Sequence, residues 1–212
     1  MAQTRFKRRK EKRPAEITQA AMQAFAENGY EATRVDDVAR RAGVSKGLLY
    51  LYFKTKEELF KAVIKSFVKP RIQALTRSIE TNESSATEFL RGPFLELAKD
   101  IPSSPLRHLV RLMISEGPKH PDLTRYYWEN VAGPGIQALN RLFENGVANG
   151  EFRPSALQQF PQLLVSPVLF STMWQLVFEE HAHLDTDALL EAHIEFVLDA
   201  IAVNPGASGA GS

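Results

Sequence analysis

Residues 42–53 read Ala42-Gly43-Val44-Ser45-Lys46-Gly47-Leu48-Leu49-Tyr50-Leu51-Tyr52-Phe53, and this stretch decides the fold of the N-terminal part of the chain. Ala42-Gly43-Val44 is a short turn, with glycine where the backbone must take a conformation that other side chains resist. Ser45 can cap the helix that follows. In that helix Leu49 and Phe53 stand four residues apart and can share one buried face, which leaves Lys46, Gly47, Leu48, Tyr50 and Tyr52 nearer the other. Two short helices around such a turn have helix-turn-helix spacing, which also occurs in packed helical proteins without a nucleic-acid partner. The side chains carry the reading further, because a helix built only to fill a core needs no such mixture of small, basic and phenolic groups. Gly47 permits close approach to a duplex. The Lys46 ammonium and the tyrosine hydroxyls can donate to phosphates, and Leu48 can offer an apolar contact of the kind a thymine methyl accepts.

Upstream, Pro14 opens a helix that places Ile17, Ala20, Ala21, Ala24 and Phe25 on one stripe, and Asn28-Gly29 closes it. Thr33 is placed to cap the next helix, with Val35, Val38, Ala39 and Ala42 facing inward. Downstream, Thr55 caps a fourth helix, Glu58 completes a capping box, and Leu59, Phe60, Val63, Ile64 and Phe67 follow before Pro70 bends or breaks the run. Lys56, at the start of that helix, has backbone N–H groups beside it and suits another phosphate.

These pieces coincide with an asymmetry of charge. Residues 1–56 hold 13 Lys and Arg against six acids, whereas no Lys or Arg follows Arg153. One end suits a polyanion and the other repels it. Residues 1–12 read as an unfolded basic arm, too polar to offset the entropy of ordering, that tracks the backbone of a duplex or reaches a minor groove.

The stretch Gly29-Tyr30-Glu31-Ala32-Thr33, with Val38-Ala39, Ala42 through Gly47, Leu49-Tyr50, Tyr52-Phe53 and Lys56-Glu57-Glu58-Leu59, resembles the DNA-binding domain of the TetR/AcrR family of transcriptional regulators over about residues 14 to 66. The resemblance implies an all-α fold of about nine helices and a homodimer whose two recognition helices read a palindromic operator. It further implies a small-molecule effector bound in the C-terminal domain, and DNA contacts from Thr33, Ser45, Lys46, Gly47, Tyr50, Tyr52 and Lys56. Arg34, Leu48 and Lys54 complete the expected DNA-facing set. Leu48 departs from the family, which usually carries Thr there, so a hydroxyl gives way to an apolar contact. The expected organisation is a basic arm (1–12), a helix-turn-helix domain (13–67), a ligand-binding and dimerisation domain (68–204) and a flexible tail or cloning remnant (205–212).

Helical periodicity continues downstream with breaks near 81–85, 100–105, 117–121, 150–154 and 181–185, and Pro134, Pro161 and Pro167 imply kinks or frayed starts. Residues 85–180 are rich in bulky side chains, most of them ordinary core. His108, Met113, Tyr127, Trp128, Phe170 and Trp174 are the candidates for lining a pocket, since they combine apolar bodies with polar handles or lie among bundle helices. By the same resemblance, the last two helices form a four-helix dimer interface that includes Phe160, Leu164, Phe178, His193, Phe196 and Val197.

Several functions are disfavoured. The chain has no cysteine, hence no disulfide, thiolate metal site or cysteine nucleophile. HExxH, GxSxG, P-loop and GxGxxG patterns are absent, so an enzyme of helical-bundle type fares poorly, and no cofactor is expected. His181 and His183 beside Glu179-Glu180 could ligate a metal, yet they read as a solvated interhelical loop. A DNA-binding module without an effector stays open beside the sensor. Without a membrane-length apolar run or a signal-peptide pattern, the expected location is the cytoplasm.

Overall fold

Apolar residues spaced three and four apart produce helices along the chain. The structure, a computed structural model, describes residues 2–81 and 85–203, with side chains from Lys12 onward. Among the described residues nine helices are present: α1 (Ala2–Ala32), α2 (Val35–Arg41), α3 (Lys46–Tyr52), α4 (56–81), α5 (86–103), α6 (Leu106–Ser115), α7 (121–148), α8 (Gln162–Val177) and α9 (Thr186–Ile201). An isolated bridge between Phe152 and Ala202 is the β pairing seen there. The expected all-α class is the one observed.

The helices depart from the sequence expectation chiefly at prolines. α1 begins at Ala2, so Pro14 lies inside it and the stretch read as an unfolded arm is helical backbone from Ala2 onward. Its Lys, Arg, Glu and Ala residues are good helix formers and carry the helix back past Pro14. The side chains of that arm, and the tail at 205–212, lie outside the described residues. Pro70 does not end α4. A π turn at Ile64–Val68 precedes it, and the helix resumes at Lys69. The same device recurs in α5, where Pro93 sits in the π turn Leu90–Phe94, and in α7, where Pro134 follows the π turn Trp128–Ala132. The extra residue of a π turn disturbs the i→i−4 ladder locally, where a proline with no N–H costs less.

The chain forms two compact units. The first holds the residues up to Arg71 together with Pro105–Val131, and the second holds Ile72–Ser104 with the chain from Ala132 onward. This partition does not follow chain order, as the expected boundary at 67/68 does, because α6 and the start of α7 pack with the N-terminal helices. In the first unit α1 packs against α2, α4 and α6, and α2 against α3. Its core gathers Ile17, Ala21, Phe25, Val38, Leu49, Leu59, Phe60 and Val63, all at most 2% exposed. Phe25, Tyr30 and Phe60 form an aromatic cluster with ring centroids 5.6–6.2 Å apart. Each fully buried side chain of this size stabilises the unit by about 1.5–3 kcal/mol. The second unit closes around Phe89, Leu90, Phe143, Leu164 and Ile194, with α8 and α9 packed on each other and on the second half of α5.

Gly29 breaks α1 as the sequence reading requires. Its backbone stands at φ 77° and ψ 178°, a region open essentially to glycine alone. The amides of Tyr30 and Glu31, just beyond the break, donate to Glu116 Oε1 and Oε2 at 2.9 and 2.8 Å. A carboxylate from the segment after α6 thus fastens the chain at the entry to the helix-turn-helix.

Candidate nucleic-acid interface

The helix-turn-helix is assembled from local signals. α2 carries Asp36 and Asp37 in its first turn and Arg40 and Arg41 in its last, signs that suit the helix dipole. Arg41 forks onto both carboxylate oxygens of Glu27 on α1, and Arg40 bonds Asp37 at 2.7 Å. Gly43 takes the turn at φ 62°. Ser45 then caps α3, its side chain accepting from the Leu48 amide at 3.2 Å. Thr55 caps α4 by accepting from the Glu58 amide at 3.1 Å, and the Glu58 carboxylate returns to the Lys54 amide, one residue before the cap.

Leu49, fully buried, seats α3 against the unit. Gly47, Tyr50 and Leu51, the last two three and four residues on from Gly47, are exposed on the helix, as is Lys54 in the turn beyond the extended Phe53. Leu51 is 80% exposed and Tyr50 39%. Leu51 was missing from the expected DNA-facing set because its flanking tyrosines drew the reading; its offset of four from Gly47 was the signal available. Leu48 and Tyr52 are half-buried, so the outer face is turned toward Leu51 by part of a helical step. Ser45, Lys46 and Arg34 are exposed.

One expected contact is corrected, and a second residue is engaged within the chain. Thr33 is 2% exposed, and its hydroxyl donates to the carbonyls of Ala24 (3.1 Å) and Gly29 (2.6 Å). It locks the corner between α1 and α2 instead of facing a duplex, and the cap position of α2 falls to Arg34, which makes no side-chain capping bond. Lys56 is half-buried and engaged within the chain. Its ammonium donates to the carbonyls of Tyr30 (2.8 Å) and Glu31 (2.9 Å) and stands 4.5 Å from the Tyr30 ring centroid, so it satisfies the end of α1.

Lys46 is exposed but engaged, donating to Asp36 at 2.7 Å, which raises its pKa. A phosphate must compete with that carboxylate, and the carboxylate repels phosphates on its own account. Asp36→Asn is therefore expected to tighten binding to duplexes of any sequence by about two- to fivefold, the scale of one exposed ion pair. Titration of labelled duplex at two ionic strengths checks this: the gain should be largest at low salt.

The other candidate residues divide between the units. In the first, His108 lines a cavity of about 130 Å³ with Phe25, Glu27, Arg111 and Glu116; its Nδ1 is buried without a hydrogen-bond partner, and burial lowers its pKa. Met113 and Tyr127 are half-buried, the Tyr127 phenol pushed up to about 12 by burial, whereas Trp128 is 57% exposed. In the second unit, Phe170 and Trp174 lie one turn apart on α8 with ring centroids at 5.7 Å, and the Trp174 indole donates to the Ala182 carbonyl at 2.8 Å. Phe170 belongs to an open apolar groove between α8 and α9 that also takes in Leu189, His193 and Phe196. Of the expected dimer residues, Phe160, Phe178 and Phe196 are exposed and His193 is half-buried. Leu164 and Val197 are corrected to the core, since they fall in phase with the buried stripes Leu164–Val168–Ser171 and Leu190–Ile194–Val197.

Two groups of His and acidic side chains occur among the described residues. His183 pairs with Glu179 at 2.5 Å in an exposed turn, a bond that raises its pKa. Glu31, Glu116 and His120 bring donor atoms within 4.8 Å of one another, but Glu116 already accepts two backbone amides and His120 Nε2 lies 2.6 Å from Glu31.

A short capped helix seated by one leucine, showing a glycine, a tyrosine and basic groups to solvent beside a left-handed glycine turn, defines a DNA-binding regulator of helix-turn-helix type. The chain belongs to the TetR family: residues 17–63 match bacterial regulatory proteins of the tetR family, and residues 94–201 match the C-terminal domain of AefR-like transcriptional repressors. It is 30% identical over 153 residues to the HTH-type transcriptional regulator YfiR of Bacillus subtilis, covering 70% of this chain and 72% of that one. It is also 30% identical over 141 residues to the HTH-type transcriptional repressor KstR2 of Mycolicibacterium smegmatis, covering 66% and 67%. Among solved structures, the transcriptional regulator FadR of Bacillus subtilis in complex with stearoyl-CoA shares the fold, with a TM-score of 0.70 at 23% identity over 87% of this chain and 97% of that one. The family is one of regulators and not of enzymes. No helix among the described residues is long and apolar enough to cross a membrane.

Proposed function

We propose that this regulator is a repressor that binds a palindromic operator as a homodimer in the cytoplasm and is released by a small apolar effector, with residues 13–67 as the DNA-binding domain and 68–204 as the effector and dimerisation domain. The observation that carries the reading is the exposed face of α3, with Gly47, Tyr50 and Leu51 in solvent while Leu49 is buried, and the exposed Lys54 just past the end of the helix. Dimerisation is supported by Phe160, Phe170, Phe178 and Phe196, each between 41% and 73% exposed along α8, α9 and their flanks; apolar surface of this extent calls for a partner, and a second copy brings the same surface. Two recognition helices about 34–36 Å apart would then enter successive major grooves. The stearoyl-CoA held by FadR makes long-chain acyl-CoA thioesters the first effectors to try.

Selection of duplexes from a random library by the full-length chain should enrich an inverted repeat, and sedimentation at micromolar concentration should show a dimer. An acyl-CoA or other apolar ligand that raises the melting temperature should also release the selected duplex. Enrichment of no sequence, or of an asymmetric site by a monomer, would refute the proposal.

A further inference from the structure

Leu51 is 80% exposed, although it stands on a seven-residue helix whose packing is already secured by Leu49. Among the described residues of the first unit it is left in solvent, with the hydroxyl-bearing Tyr50 beside it on the helix and the exposed Lys54 in the turn just beyond. One turn back is Gly47, around which an added Cβ would meet nothing within 4 Å, so the space beside Leu51 is open to a close approach. In the major groove the one apolar feature that a base edge offers is the 5-methyl of thymine; cytosine presents an amino donor, and guanine and adenine present N7 acceptors. A leucine in that groove buries its methyls usefully only against a thymine, and against the other bases it strips polar edges of water without bonding them.

We infer that Leu51 is a specificity-determining residue that selects thymine at one position in each half-site, with its side chain against the 5-methyl and Gly47 giving the backbone its close approach. This rests on the DNA-reading proposal above and names the base chemistry it would select. Leu48, half-buried, is left the smaller share of that contact.

The test starts from duplexes that the full-length chain selects from a random library. Wild type is expected to fix a thymine in each half-site that Leu51→Ser no longer fixes, the other positions remaining unchanged. Replacing that thymine by deoxyuridine removes the methyl alone and should weaken wild type about fourfold per half-site, the scale of one buried methyl group. Leu51→Ala should bind the thymine and deoxyuridine duplexes equally well, and its thermal melt should match wild type because the side chain is in water. The inference is overturned if deoxyuridine is tolerated at every thymine of the selected site, or if it weakens wild type and Leu51→Ala alike. Failure of wild type to enrich any sequence is a different outcome and brings down the DNA-reading proposal itself.

Discussion

Gly47→Phe should leave the protein as stable as wild type, or slightly more so, and abolish recognition of its selected duplex. The two halves of that expectation come from different physics. An added Cβ at Gly47 meets nothing within 4 Å, and the residue lies in the first turn of α3 with ordinary helical backbone, so replacing glycine there removes an entropic penalty of up to about 1 kcal/mol. The open space that makes the substitution harmless to the fold is, on the DNA-binding proposal, where the duplex must come. A phenyl ring there holds Tyr50, Leu51 and Lys54 off the groove together, and affinity should fall by about 100-fold or more, roughly 3 kcal/mol. Thermal melts paired with a duplex titration check both halves. A variant that melts normally and still binds the duplex would show that α3 does not lie in the groove.

Gly29→Ala should be among the most destabilising single substitutions in the first unit, at about 2–6 kcal/mol, for two separable reasons. The φ of 77° with ψ of 178° costs a non-glycine residue about 1–3 kcal/mol wherever it occurs. In addition, the new Cβ would come within 2.6 Å of Glu116 Oε1, and that oxygen cannot readily retreat because it and its twin accept the amides of Tyr30 and Glu31. Hydrogen bonds to a charged acceptor contribute more than neutral ones, so displacing the carboxylate forfeits a further 1–3 kcal/mol or so. A double-mutant cycle separates the terms: Gly29→Ala made in a Glu116→Ala background should cost only the backbone part. Additive denaturation energies would mean that the carboxylate moves aside freely. Because the clasp lies at the entry to α2, Glu116→Ala alone should also weaken duplex binding while leaving Gly47 and Leu51 intact.

Much of the local structure of the proposed DNA-facing site was readable from residue types. Ser45 and Thr55 stand before short apolar-periodic runs, and cap chemistry is local, so both caps appear where the sequence places them. Gly29 and Gly43 marked their breaks because positive φ admits glycine with little competition. The prolines were less legible for the complementary reason. Their cost depends on whether the helix can absorb a missing N–H, and the π turns near Pro70, Pro93 and Pro134 do so through packing that no window of sequence displays. Thr33 and Lys56 bond within the chain, which residue type alone does not show, since a hydroxyl or an ammonium that could meet a phosphate can equally satisfy carbonyls at the end of α1.

By itself, then, the sequence determined the all-α class, the position and capping of the helix-turn-helix, the basic character of the N-terminal end and the family to which the chain belongs. These rest on periodicity, turn chemistry and charge, which act over a few residues. Only the tertiary structure decided that α6 and the Glu116 clasp belong with the N-terminal unit, that Leu164 and Val197 face inward while Phe196 faces out, and that Leu51 heads the exposed face of α3. Those outcomes depend on the rotation of each helix about its axis, which is set by what packs behind it from elsewhere in the chain.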